Sequence, residues 1–171
     1  MPPKLDRMDS QLIAKNRNTK GFTLVEIMVV VVVIAILAAI AIPTFMNAQM
    51  ASRAAKFAND LKKLSAAVTQ YNMEYGEWAG DGLPGTTPNY SLTYGGTGEG
   101  FISSTAWTSE TAIGGRWDWE GLGTGSIGIS CRGYSATDEQ IEKIDSLIDD
   151  GDINAGAFTK VDSLQLYLSL E

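Results

Sequence analysis

Four groups of side chains in this chain could do chemistry. Asp118 and Glu120 stand two residues apart in AIGGRWDWEG. On a strand that spacing puts both carboxylates on one face, close enough for general acid–base work. Arg116 shares the face, and an exposed, charge-balanced strand surface accounts for all three without catalysis. Asp149, Asp150, Asp152 and Asn154 in DDGDIN supply the oxygen ligands that calcium prefers. Their spacing is not that of an EF-hand loop, and no glutamate falls where that loop needs a bidentate ligand. A solvated helix end followed by a turn has the same composition. Cys131 is the sole cysteine, so one chain can form neither an intramolecular disulfide nor a thiolate metal cluster. SIGISCRGY reads as a strand that buries it. There is no histidine, which removes the commonest general base and the Ser-His and Cys-His pairs that activate nucleophiles. An enzyme is not expected.

The fourth group is Glu26. The stretch KGFTLVEIMVVVVVIAILAAIAIPTF, residues 20–45, holds sixteen consecutive apolar residues from Ile27 to Ile42, with Glu26 directly before them. A carboxylate at the centre of a bilayer costs about 2.5–3.5 kcal/mol on insertion scales. At the boundary the cost is lower, and an acid suits the first turn of a helix, so the edge of a plain anchor explains Glu26. A positive partner inside the bilayer would give it a function. Cutting between Gly21 and Phe22 creates one: an α-ammonium four residues before Glu26, ~6 Å along a helix axis. Between chains staggered along a shared axis, the ammonium of one can meet the carboxylate of the next. In low dielectric that pair fixes a register, and glycine before the cut lets a protease approach the backbone.

The elements around these groups follow from charge and periodicity. The chain has 171 residues and a net charge of −7, unevenly spread. Residues 1–21 carry Lys4, Arg7, Lys15, Arg17 and Lys20 against Asp6 and Asp9, a local +3. They read as a leader that stays in the cytoplasm. Residues 22–43 form an apolar run that spans roughly 33 Å as a helix, enough to cross a membrane once, with the remainder outside. Over 44–75 the helix continues with one apolar stripe, Ala54, Phe57, Leu61, Leu64, Val68, Tyr71 and Tyr75, and Gly76 as its C-cap. Pro43 is a helix kink or locally opened turn.

Residues 76–171 carry a local charge of −11. Such a surface repels phosphate backbones, so direct nucleic-acid binding is not expected. Glycines and all four tryptophans cluster before residue 134, which indicates loops and short strands packed on aromatic side chains. TDEQIEKIDSLIDDG reads as a short helix with a Thr137–Gln140 capping box, an Ile141, Ile144, Leu147, Ile148 face, and Gly151 ending it. SLQLYLSLE alternates, with Leu164, Leu166, Leu168 and Leu170 on one face, as the closing strand of an antiparallel sheet. The expected fold class is α+β: a long N-terminal helix packed on a small antiparallel sheet, with a short additional helix.

GFTLVEIMVVVVVIAILAAIAIP resembles the N-terminal cleavage and methylation segment of bacterial type IV pilins and type II secretion pseudopilins. The resemblance implies a structural subunit that a membrane prepilin peptidase cuts after Gly21 and methylates on the amine of Phe22. It implies that Glu26 sets subunit registration and that Pro43 marks local helix opening. The implied partners are further copies of the chain, other pilin-like subunits, the peptidase and an inner-membrane assembly platform. The implied location is the inner membrane, with the leader cytoplasmic and the C-terminal domain periplasmic, and then a filament. In some secretion pseudopilins a late acidic loop binds calcium, which bears on Asp149, Asp150, Asp152 and Asn154. With one cysteine, the disulfide loop of many adhesive pilins cannot form. The competing expectation is a soluble periplasmic binding module released from an ordinary signal peptide at Ala39-Ile40-Ala41.

Overall fold

The computed structural model of the protein describes residues 21–88, 93–94, 100–121 and 125–171. The leader expected over residues 1–21 lies outside them, apart from Gly21. The chain divides into two compact units that meet between Ile42 and Pro43.

In the first unit, residues 21–23 are non-helical and helix α1, Leu24–Tyr75, begins. The sequence places this start at Phe22; it falls two residues later because Thr23 acts as the cap. From Leu24 to Ile42 the side chains are apolar apart from Glu26 and almost all are exposed. Among the described residues of this unit, no partner element covers them. By length and composition α1 contains a window able to cross a membrane. The β-branched run Val29–Ile34 disfavours helix in water, whereas a backbone in lipid must satisfy its own hydrogen bonds and so becomes helical.

The second unit starts at Pro43, which lies inside α1. Here α1 buries Ala54, Phe57, Ala58, Leu61, Leu64, Ala67, Val68 and Tyr71, the three-four stripe read from the sequence. Tyr75 departs from it. It is 50% exposed and covers Tyr71 with its ring, centroids 4.6 Å apart. Gly76 then adopts φ +72° and donates its N–H to the Asn72 carbonyl at 2.8 Å, the left-handed cap that glycine accepts without a Cβ penalty.

Two short strands, β1 (Thr93–Tyr94) and β2 (Ile102–Ser103), pair in parallel. Helix α2, Ser104–Thr108, follows at once. The main sheet contains β3 (Arg116–Glu120), β4 (Gly128–Arg132), β5 (Phe158–Lys160) and β6 (Gln165–Ser169), with α3 (Asp138–Ile148) between β4 and β5. Its order is β3-β4-β6-β5 and every pairing is antiparallel. So β6 is an interior strand, not the closing one; the three-residue β5 takes the edge. Leu166 and Leu168 face the core, but Leu164 precedes the strand and is 61% exposed. Its N–H donates to Asp162 Oδ1 at 2.6 Å, which fixes a tight turn there.

Inward residues of the sheet, Trp117, Trp119, Ile129, Cys131, Phe158, Leu166 and Leu168, form one core with the buried stripe of α1. Phe57 is central to it, with its ring 4.7 Å from Trp117 and 6.3 Å from Phe158. Trp119 donates its indole N–H to the Ala79 carbonyl at 3.0 Å, so a large side chain is buried with its polar handle satisfied. In α3 the capping box forms, with the Thr137 N–H donating to Gln140 Oε1 at 3.1 Å. Ile141 and Ile144 are fully buried and Ile148 packs at the margin, whereas Leu147 is exposed.

Candidate functional site

At the head of α1, Thr23 and Glu26 hold each other. Glu26 Oε2 accepts the Thr23 N–H at 2.7 Å and the Thr23 hydroxyl at 2.8 Å. Thr23 Oγ1 in turn accepts the Glu26 N–H at 3.2 Å. This is a capping box, Thr at the N-cap and Glu three residues on, and it satisfies donors that a helix start leaves orphaned. Immediately before it, Gly21 is exposed and a Cβ built on it would meet nothing within 4 Å. The fold of the chain therefore does not require glycine at 21. Farther along α1, Pro43 brings no N–H to the Ala39 carbonyl, and Ala39-Ile40-Ala41 lies within the helix.

On β3, Trp117 and Trp119 point inward as the alternation predicts, but Asp118 is buried as well. Its cation is not Arg116. Arg132, on the paired strand β4, donates from Nε to Asp118 Oδ2 at 2.6 Å and from its terminal nitrogen to Glu120 Oε1 at 2.7 Å. Glu120 Oε1 also accepts from the Ser130 hydroxyl at 3.2 Å and the Gln165 amide at 3.4 Å. Burial raises the Asp118 pKa, against the lowering effect of the Arg132 hydrogen bond. One guanidinium thus bridges the two carboxylates and neutralises much of their charge. That arrangement staples β3 to β4 and leaves neither acid free as a proton carrier.

After α3, the DDGDIN acids are largely occupied with their own backbone. Asp149 Oδ2 accepts the N–H of Ala157 and, at 3.4 Å, that of Phe158. Asp150 Oδ1 accepts the Asp152 N–H at 2.8 Å. Asp152 Oδ1 accepts both the Asn154 N–H at 3.0 Å and its side-chain amide at 3.2 Å. The acid that sequence reading passes over is Asp145, inside α3. Its side chain is fully buried, and neither of its oxygens accepts a well-formed hydrogen bond. Burial first, then the charges of Asp150 and Asp149, push its pKa up to about 6, against a lowering by the nearby Gly151 N–H. Among the described residues Asp145, Asp149 and Asp150 are the acids placed to share an ion. Cys131 is buried beside Thr111, and burial pushes its thiol up to about 11.

Residues 16–42 match the family model described as the prokaryotic N-terminal methylation motif. The chain is 35% identical over 66 residues to a fimbrial protein of Neisseria meningitidis, covering 39% of each chain. It is 39% identical over 83 residues to the type IV major pilin protein PilA of Myxococcus xanthus, covering 47% of this chain and 37% of that one. With the type II secretion system core protein G of Pseudomonas aeruginosa it shares 38% identity over 60 residues, covering 35% and 42%. Over its N-terminal part the chain is thus similar to fimbrial and type IV pilin proteins and to a type II secretion system core protein. The match with this pilin-like chain spans about two fifths of the length of those curated relatives. The structure of the major type IV pilin PilA1 from Clostridium difficile superimposes with a TM-score of 0.44 at 18% identity, covering 70% of this chain and 95% of that one.

Two of these features have a local sequence signal. Thr-x-x-Glu at 23–26 is the capping-box signature, and DEQIEKIDSLI puts Asp145 four residues after Ile141, on the buried face of the helix. Arg132 as the partner of Asp118 and Glu120 had no such signal, because strand pairing decides it.

Proposed function

We infer that the protein is a structural subunit of a type IV pilus or a type II secretion pseudopilus, made as a precursor and polymerised through the first half of α1. The observation that carries this reading is the methylation motif on residues 16–42, laid over a helix whose apolar surface is exposed among the described residues of its unit. A prepilin peptidase cuts after Gly21 and methylates the amine of Phe22. Gly21 supports that role, since no neighbour among the described residues limits its size. Before assembly the helix anchors the protein in the inner membrane, with the leader cytoplasmic and the acidic domain periplasmic. An assembly platform supplied by other proteins then extracts it into the filament, where Glu26 pairs with the α-ammonium of a neighbouring subunit and Pro43 permits local opening of the helix.

The first test is the intact mass and N-terminal sequence of the protein recovered from its native membrane. The expected chain begins at an N-methylated Phe22. A chain beginning at Ile42 would replace the pilin reading with an exported soluble module, and an unprocessed precursor would leave α1 a plain anchor. Given cleavage, Glu26→Ala should abolish filaments while leaving processing intact.

A further inference from the structure

The turn between β5 and β6 puts two large aliphatic side chains into solvent. Its residues 161–164 read Val-Asp-Ser-Leu, and all four are exposed. Val161 is 57% exposed and Leu164 61%, so apolar surface stays hydrated on both sides of one carboxylate. The turn is nonetheless tightly held. The Leu164 N–H donates to Asp162 Oδ1 at 2.6 Å and the Val161 N–H to the Gln165 carbonyl at 3.0 Å. In return the Leu164 carbonyl accepts the Gly133 N–H at 2.7 Å, and the Asp162 carbonyl accepts the Tyr134 hydroxyl at 2.9 Å. The result is a fixed projection whose backbone is satisfied and whose side chains are not covered.

A groove of matching character runs along α1 beside β2 and α2. One end is a cavity of about 250 Å³ that Lys56 and Glu110 help to line, and the other a cavity of about 340 Å³ that includes Ala66 and Phe101. Lys63 and Ile102 line both. A water's share of the liquid is about 30 Å³, so a four-carbon side chain fits either end. Phe101 and Ile102 also pack on the core, which makes the floor apolar and firm. Lys63 overhangs it. Its ammonium is 3.5 Å from Asp60 and its side chain is 71% exposed, a weak pair that leaves Lys63 able to turn to another carboxylate. Glu110 stands at the far end, bridged to Arg116, so an incoming acid is favoured only at the Lys63 end.

Projection and groove lie at opposite edges of the sheet. Trp117 of β3 lines the groove and α2 packs on β3, whereas the projection joins β5 to β6, and β4 and β6 separate β3 from β5. We propose that the 161–164 turn of one subunit docks in the groove of the next, with Leu164 against Ala66 and Phe101 and Asp162 on Lys63. Because the two surfaces differ, the contact is head-to-tail, the kind that propagates into a helical filament when the rotation does not close a ring. It rests on the subunit reading above and adds a contact between domains to the one through the apolar half of α1.

The test uses the full-length protein in its native cells. Ala66→Cys combined with Leu164→Cys puts one thiol on each surface, and the natural Cys131 is buried and takes no part. Copper–phenanthroline oxidation of recovered filaments should give a ladder of disulfide-linked multimers from the double variant and monomers from either single variant. Leu164→Ser should leave cleavage after Gly21 and the melting temperature unchanged while lowering filament yield at least tenfold. Leu83→Ser, at a similarly exposed position outside both surfaces, should assemble like wild type. Filaments of the double variant without a ladder would overturn the proposal, as would wild-type yield from Leu164→Ser. A dimer from Leu164→Cys alone would replace it with a symmetric contact. An absence of filaments from the wild-type protein would instead remove the subunit reading, and this contact with it.

Discussion

Thr23 and Glu26 cap the first turn of α1 reciprocally, with the glutamate carboxylate 2.7 Å from the Thr23 amide and the threonine hydroxyl 3.2 Å from the Glu26 amide. The proposed pairing with a neighbouring subunit would give Glu26 a second, separable job. A cap needs only an acceptor oxygen at position 26, whereas pairing with a neighbouring ammonium needs a negative charge.

Glu26→Gln keeps the acceptor and discards the charge. It should retain slow amide exchange at the start of α1 and lose filaments. Thr23→Val does the reverse, weakening the helix start by about 1 kcal/mol while leaving the charge in place. It should speed exchange over 24–26 and reduce filament yield far less than Glu26→Gln. Equal assembly by Glu26→Gln and wild type would mean that the cap alone accounts for the residue.

Arg132 is 44% exposed at its side chain yet bridges the buried Asp118 and the half-buried Glu120. Arg132→Met should leave Asp118 without its cation and destabilise the domain by about 2–3 kcal/mol, less than a fully buried pair because solvent reaches the guanidinium. Denaturant unfolding measures it. The double variant Arg132→Met, Asp118→Asn should recover part of the loss, since the uncompensated charge goes with its partner.

Burial raises the Asp118 pKa in the folded state above its value in the unfolded chain. The folded protein therefore holds that proton more tightly. At this residue stability is fullest below the unfolded pKa and falls as pH rises through the folded one. Comparing Asp118→Asn with wild type across the acid range should show the variant losing less stability as pH rises.

The Cys131 thiol, pushed up to about 11 by burial, is about one part in a thousand thiolate at pH 8. Iodoacetamide at that pH should modify the folded protein at least a hundredfold more slowly than the urea-unfolded chain. Comparable rates would show that the core around Thr111 and Cys131 opens freely.

Phe57 touches both Trp117 and Phe158, so Phe57→Ala opens a cavity where α1 meets the sheet. It should cost about 3–5 kcal/mol. Phe45→Ala, at an exposed position, should leave the stability of the domain nearly unchanged.

Periodic and terminal features were legible in the sequence. The stripe from Ala54 to Tyr71, the Gly76 cap, the Thr137–Gln140 box and the strands around Trp117 and Cys131 all depend on neighbours within a few residues. What failed to show depends on distant partners or on short runs. The three-residue β5 is too brief to alternate visibly, and its absence made β6 look like an edge. Asp118 looked exposed because its burial comes from β4 and Arg132, fourteen residues away. Asp145 was concealed among polar residues, though its place four after Ile141 sets it on the inner face.

The order β3-β4-β6-β5 has a consequence for biogenesis. The strand β6, which follows β3, β4 and β5 in the chain, is hydrogen-bonded on both sides, to β4 and to β5, and carries two leucines of the core. Until it is in place, β4 has one open edge and β5 lacks its paired strand. A chain stopped a few residues early cannot settle into a smaller sheet; it has a hole in the middle. If the apolar half of α1 anchors the subunit as proposed, a truncated chain would be held at the membrane with an unfolded head, open to proteases before any assembly.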